Sequence, residues 1–126
     1  MSKEVISSEN APKAIGPYSS ALKVGDMLFV SGQIPVNPAT GEMQEAITAQ
    51  AEQSLKNLKA LVESAGYTLA DVVKTTVFLA DIADFAAINE VYASFFATPY
   101  PTRSCVAVKD LPKGARIEIE CICVKA

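Results

Sequence analysis

The chain has 126 residues, half of them hydrophobic and a fifth charged, with a formal net charge of −3 and no histidine. That length and composition fit one globular domain around a single core and exclude a disordered chain. The missing imidazole excludes Ser-His-Asp and Cys-His catalysis and any histidine-built metal centre, so acid–base chemistry falls to carboxylate, lysine, tyrosine, thiol or water.

The opening MSKEVISSEN has no apolar stretch behind its lysine, so no signal peptide is expected. Residues 4–7 fit a short first strand, and residues 8–17 (SENAPKAIGP) read as a loop punctuated by Pro12, Gly16 and Pro17. The runs 19–24 and Met27–Gln33 flank Gly25-Asp26, a two-residue break that predicts a hairpin. Residues 34–44 carry two prolines and a glycine and form the next loop. Ile47, Ala51, Leu55, Leu58, Leu61, Val62 and Ala65 recur at steps of three and four, which predicts a helix over 46–65 ended by Gly66.

Residues 72–80 (VVKTTVFLA) are β-branched and mostly apolar, the pattern of a central strand buried on both faces. Asp81 is expected to open a second helix through about residue 97, with Asp84 completing a capping box. Its inward stripe reads Ile82, Phe85, Ile88, Val91, Tyr92, Phe95 and Phe96, and Pro99 and Pro101 stop it. Residues 104–109 and 116–125 are the last two strands.

The order β-β-β-α-β-α-β-β predicts an α+β fold: a single domain over residues 1–126, with a mixed sheet carrying two helices on one face. In the last strand Ile117, Ile119, Cys121 and Cys123 share one side, and Glu118, Glu120, Ile122 and Val124 the other. A lone chain would expose Ile122 and Val124, so a subunit interface is expected to begin beside those glutamates.

Arg103, two positions before Cys105, is either a salt-bridging surface residue or a clamp for a small anion. A guanidinium offers two parallel donors that match a carboxylate. Glu118, on the covered face, either pairs with Arg103 or another cation, or has a raised pKa and passes protons near neutrality. Glu120 competes with it on spacing alone. Cys105 lacks a histidine to make a thiolate, and Cys121 and Cys123 fit core packing better than a metal site. Tyr18, Ser31 and Asn89 are single polar residues among apolar neighbours, each readable as a satisfied buried group. Neither GxGxxG nor GxxxxGK[ST] occurs, so no nucleotide is indicated. The acidic balance argues against nucleic acid, the apolar runs are too short for a membrane span, and three cysteines without a disulfide framework fit a reduced cytoplasm.

The stretches NAPKAIGPYSSA, LFVSGQIPVNPATGE, VVKTTVFLADIADFAAINEVYASFF, PTRSCVAV and LPKGARIEIE together resemble the YjgF/Rid family, in its RidA-type branch, over residues 3–126. The resemblance implies a chorismate-mutase-like α+β fold and a homotrimer with clefts between subunits. It implies hydrolysis of reactive 2-imino acids and their 2-enamine tautomers to 2-keto acids and ammonia, without cofactor or metal. Position by position it makes Arg103 the carboxylate clamp and Glu118, rather than Glu120, the acid that positions or activates water. It makes Cys105 a backbone donor to the substrate, and Tyr18, Ser31, Gly32 and Asn89 cleft-lining residues. The segment ATPYPT (97–102) is shorter than in the family, and Tyr100 lies in it at the expected cleft rim. Cys121 and Cys123 stand where the family carries small residues. A second reading keeps the same cleft as a non-catalytic sensor of keto acids or amino acids. A ribonuclease role, linked to the wider family, sits poorly with the acidic balance and missing histidine.

Overall fold

The computed structural model describes residues 2–125. Along them run β1 (Glu4–Ile6), β2 (Ala21–Val24), β3 (Met27–Gln33), α1 (Ile47–Ser64), β4 (Val72–Leu79), α2 (Phe85–Phe95), β5 (Thr102–Ala107) and β6 (Ile117–Val124). The strands form one six-stranded sheet in the order β1-β2-β3-β6-β4-β5. Neighbours are antiparallel except β4 and β5, which run parallel. A parallel pair needs a crossover, and α2 supplies it. The predicted hairpin is present, with Val24 opposite Met27 across Gly25-Asp26. This is the expected α+β architecture.

Both helices lie on one face of the sheet. From α1, Ala51, Leu55, Leu58, Leu61 and Val62 are buried against Leu28 and Val30 of β3 and the inward side of β6. Fully burying one such leucine contributes about 1.5–3 kcal/mol. The helix ends as its glycine requires. Gly66 takes φ 84, its N–H donates to the Glu63 carbonyl at 3.0 Å, and the Tyr67 N–H donates to Val62 at 3.1 Å, a Schellman closure. Asn57, fully buried, donates to the carbonyls of Ile34 at 3.2 Å and Val36 at 2.9 Å, and accepts from Gln53 at 2.8 Å. It pins the 34–44 loop to α1.

Three expectations are corrected. The stretch beginning at Asp81 is first a 3-10 turn (Ile82–Asp84), capped by Asp81 accepting from the Ala83 N–H at 2.9 Å. Asp84 does not complete a capping box, because its carboxylate takes two bonds from the Arg116 guanidinium at 3.0 and 3.1 Å. Because α2 starts later, Ile82 is 54% exposed and leaves the apolar stripe, whereas Ile88, Tyr92 and Phe96 are buried. Third, β4 is not buried on both faces. Val72, Thr75, Val77 and Leu79 are buried beneath the helices, while a register shift after Val72 turns Val73 outward.

The face of the sheet away from the helices is bare in the single chain. Leu22, Met27, Phe29, Ile122, Val124 and Val106 stand there half-buried or exposed, beside Glu118 and Glu120. Strand alternation predicts this division of β6, and the structure reproduces it: Ile117, Ile119, Cys121 and Cys123 are buried inward.

Candidate active site

Arg103 lies on β5, an edge strand held by β4 alone. Its side chain faces α2. Nη1 donates to Asn89 Oδ1 at 2.8 Å, and Cζ lies 4.8 Å from the Tyr92 ring centre and 5.3 Å from that of Phe85. Phe85, Asn89 and Tyr92 sit at i, i+4 and i+7 on α2, so one helix face supplies the whole cradle. Tyr92 is itself fixed, since its hydroxyl and Thr75 Oγ1 share a buried hydrogen bond of 2.7 Å. Two aromatic faces and one amide thus hold the guanidinium in one pose, each cation–π contact contributing about 0.5–2 kcal/mol. Among the described residues no carboxylate pairs with Arg103. It opens onto a cavity of about 450 Å³ walled by Asn89, Tyr92, Ala93, Tyr100 and Pro101. Tyr100, 53% exposed, stands at its rim.

Cys105 lies on the same side of β5, packed against the core. Burial pushes its thiol up, and the nearby Arg103 charge only partly offsets this, so the sulfur is a protonated thiol at neutral pH. As an edge strand, β5 leaves alternate backbone N–H groups without a strand partner, a source of donors beside Arg103. Cys121 and Cys123 are free thiols buried in the core.

Glu118 sits on the other face of the sheet. Burial, and then the neighbouring Glu120 carboxylate, push its carboxyl above the ordinary value. Its carboxylate lies against Gly32, at the register shift that ends β3: a Cβ on Gly32 would overlap Oε2 and come within 2.8 Å of Cδ. Next to it, Ser31 donates from its hydroxyl to the Ser19 carbonyl at 2.6 Å, and its N–H donates to Ser20 at 2.9 Å. Ser31 therefore fastens the 8–20 loop to β3 and brings Tyr18, 55% exposed, over the same region. Glu120, by contrast, is exposed.

The candidate residues therefore fall into two sets. Arg103, Asn89 and Cys105 lie on the helix side at one sheet edge, and Tyr18, Ser31, Gly32 and Glu118 gather on the opposite face. The register sets Arg103 beside Thr75 and Glu118 beside Phe78, so their Cα atoms are roughly 14 Å apart with side chains diverging. The alternative in which Glu118 pairs with Arg103 is excluded within one chain.

A family model described as endoribonuclease L-PSP matches residues 8–125. A RutC family protein, y4sK of Sinorhizobium fredii, is 60% identical over 94% of this chain and 95% of its own length. The 2-iminobutanoate/2-iminopropanoate deaminase of Escherichia coli K12 is 54% identical over 99% of both chains. This chain belongs to the endoribonuclease L-PSP family, also called the YjgF/Rid family. The crystal structure of E. coli TdcF with bound serine superposes at TM-score 0.95, with 51% identity over 98% of this chain and 99% of that one.

Within this family fold, the sequence named Arg103 and Asn89 but not what orients them. Phe85, Tyr92 and Thr75 were legible only as core. The signal was the i, i+4, i+7 spacing of Phe85, Asn89 and Tyr92, which stacks an amide between two rings on one helix face. Arg116 carries no local sequence signal of its role. It is the locking residue between α2 and the 44–50 segment, bonded to Asp84 and to the Glu45 carbonyl, with its own N–H held by Gln50 Oε1 at 2.8 Å.

Proposed function

We propose that this protein hydrolyses reactive 2-imino acids, such as 2-iminopropanoate and 2-iminobutanoate, and their 2-enamine tautomers to 2-keto acids and ammonia. The observation that carries the reading is the Arg103 guanidinium: it is oriented by Asn89, Tyr92 and Phe85, and among the described residues no carboxylate pairs with it. A substrate carboxylate would complete it with two parallel bonds of about 1.5–3 kcal/mol each. The named activity of the E. coli relative, at 54% identity across the full chain, supports the same substrate class.

The site is completed by a second copy. Glu118 and Arg103 diverge within one chain, and the apolar sheet face beside Glu118 is bare. In a homotrimer closed through these faces, the Arg103 of one subunit meets the Glu118 of another in each cleft. The carboxylate of the imine sits on Arg103, with backbone donors of the Cys105 region beside it. Tyr18, Ser31, Gly32 and Asn89 line the cleft. Glu118 takes a proton from a water as its oxygen bonds to the imine carbon, giving a carbinolamine. Glu118 then returns that proton to the nitrogen. Glu118 next takes the hydroxyl proton and delivers it to the amine nitrogen as the C–N bond breaks, so that ammonia and the keto acid leave and the carboxylate is restored. One acid–base group of this kind contributes about 10²–10⁴-fold, in addition to what positioning supplies. Among the described residues no helix is long and apolar enough to cross a membrane, and three free thiols fit a reducing cytoplasm.

The test is keto-acid release from enamine generated in situ by a pyridoxal-phosphate-dependent dehydratase. The wild-type protein should accelerate it over spontaneous hydrolysis, and Arg103→Ala should abolish most of that gain. Equal rates with and without protein would overturn the reaction, and an unimpaired Arg103→Ala would overturn the clamp. The serine bound in the TdcF crystal favours a second reading, a non-catalytic sensor of amino or keto acids using the same cleft. Calorimetric binding of a keto acid without any effect on enamine decay would select it.

A further inference from the structure

Behind Gly32, the residue that covers the Glu118 carboxylate, opens a cavity of about 590 Å³. Its wall runs from the 8–20 loop to the 112–114 turn and includes Lys13, Ile15, Tyr18, Gly32, Pro112 and Lys113. Among the described lining residues these two lysines are the only charged groups, and no Asp or Glu is present. Both side chains are exposed, and among the described residues neither forms an ion pair. Lys113 adds an independent sign. It is the one non-glycine residue described with positive φ, at φ 58 and ψ 22, followed by Gly114 at φ 70. Glycine or asparagine would adopt that conformation more easily, so a lysine held there has a cost that the turn itself does not explain.

We infer that Lys13 and Lys113 form a cationic rim that draws small monocarboxylate anions to this cavity, which borders Glu118 through Gly32. The inference rests on the imino-acid reading and adds the residues that govern capture. An anionic substrate approaching Glu118 and Glu120 is repelled by two carboxylates. A pair of lysines at the mouth reverses the sign of the local field and raises the encounter rate. Speed of capture matters for a substrate that also decays spontaneously in water.

The experiment follows kcat/KM for imine hydrolysis between about 10 and 200 mM ionic strength, where the screening length shortens from about 30 Å to under 10 Å. The wild-type value should fall about five-fold across that range. In Lys13→Gln/Lys113→Asn the slope should flatten to the part that Arg103 alone supplies, and the low-salt value should drop about five-fold, with the loss in KM rather than kcat. Asparagine accepts the left-handed backbone, so this variant should melt no lower than wild type, and Lys113→Arg should keep the wild-type slope. A double variant with wild-type kcat/KM and salt slope overturns the inference. Calorimetric binding of 2-oxobutanoate at low salt reads the lysines without turnover. If the wild type binds it and the double variant does so about five-fold more weakly, the rim stands even where hydrolysis fails; equal binding removes it.

Discussion

The Oε2 atom of Glu118 occupies the space in which a side chain on Gly32 would begin. Gly32 is therefore glycine for room rather than for backbone freedom, since its φ is not in the left-handed region. The candidate general base is held by contact with a bare backbone.

Gly32→Ala follows directly. The added methyl would sit 2.8 Å from Cδ and 3.0 Å from Cγ of Glu118, closer than the group can tolerate without swinging away. A misplacement of about 1 Å is expected to cost on the order of 100-fold in kcat/KM. Circular dichroism and thermal melting should show a folded protein. An alanine variant of full activity would place the water-activating group elsewhere.

Glu118→Gln separates chemistry from stability. The folded-state pKa of Glu118 is raised, first by burial and then by Glu120. The group's contribution to stability is therefore complete below its unfolded value of about 4.3 and is lost as pH rises through the higher folded value. Above that range the group is a cost, so Glu118→Gln should melt higher than wild type at neutral pH, with the advantage fading below about pH 4. Activity should fall about 10²–10⁴-fold. In the wild type, kcat/KM should decline as pH drops through the raised value. Melting curves that do not separate at neutral pH would remove the burial argument.

Asn89→Ala and Tyr92→Phe should behave oppositely. Removing the amide that accepts from Arg103 frees the guanidinium to rotate, and KM should rise about ten-fold with little change in melting temperature. Removing the Tyr92 hydroxyl leaves the ring under Arg103 but strips buried Thr75 of its partner, which should cost about 1–3 kcal/mol of stability with activity largely kept. Denaturant melts and steady-state kinetics on both variants decide the matter.

Subunit mixing tests the shared cleft. Arg103→Ala and Glu118→Gln are each expected to be nearly inactive alone. When they are unfolded together and reassembled at equal amounts, mixed trimers regain clefts with both wild-type groups, and about a quarter of wild-type activity should return. No recovery, with mixed trimers verified by mass spectrometry, would show that one chain supplies both groups.

Element order, the hairpin at Gly25-Asp26, the stop at Gly66 and the two-sided character of β6 were legible, because each is written in local periodicity or in a single turn residue. Which strand neighbours which was not. Periodicity places Glu118 on a strand and Arg103 at the head of another, but only the insertion of β6 between β3 and β4 sets how far apart they lie. The exposure of Val73 was hidden for a similar reason, since a register shift is a property of two strands together. Asp84 departs from the local capping rule because its partner, Arg116, lies 32 residues away, and such a rule carries no information on that competitor. Of the site, the residue types and their loops were legible. The aromatic cradle of Arg103 was not, because rings on a helix stripe read as core until a cation is found above them.

The strand that bears Arg103 hangs on a single parallel neighbour, while Glu118 sits on β6 with a strand on either side. Peripheral elements of this kind open at lower free energy than the interior ones. Deuterium should therefore enter the backbone of 102–107 well before that of 117–124, and slower labelling in the presence of a keto acid would mark the guanidinium strand as the part of the molecule that ligand tightens.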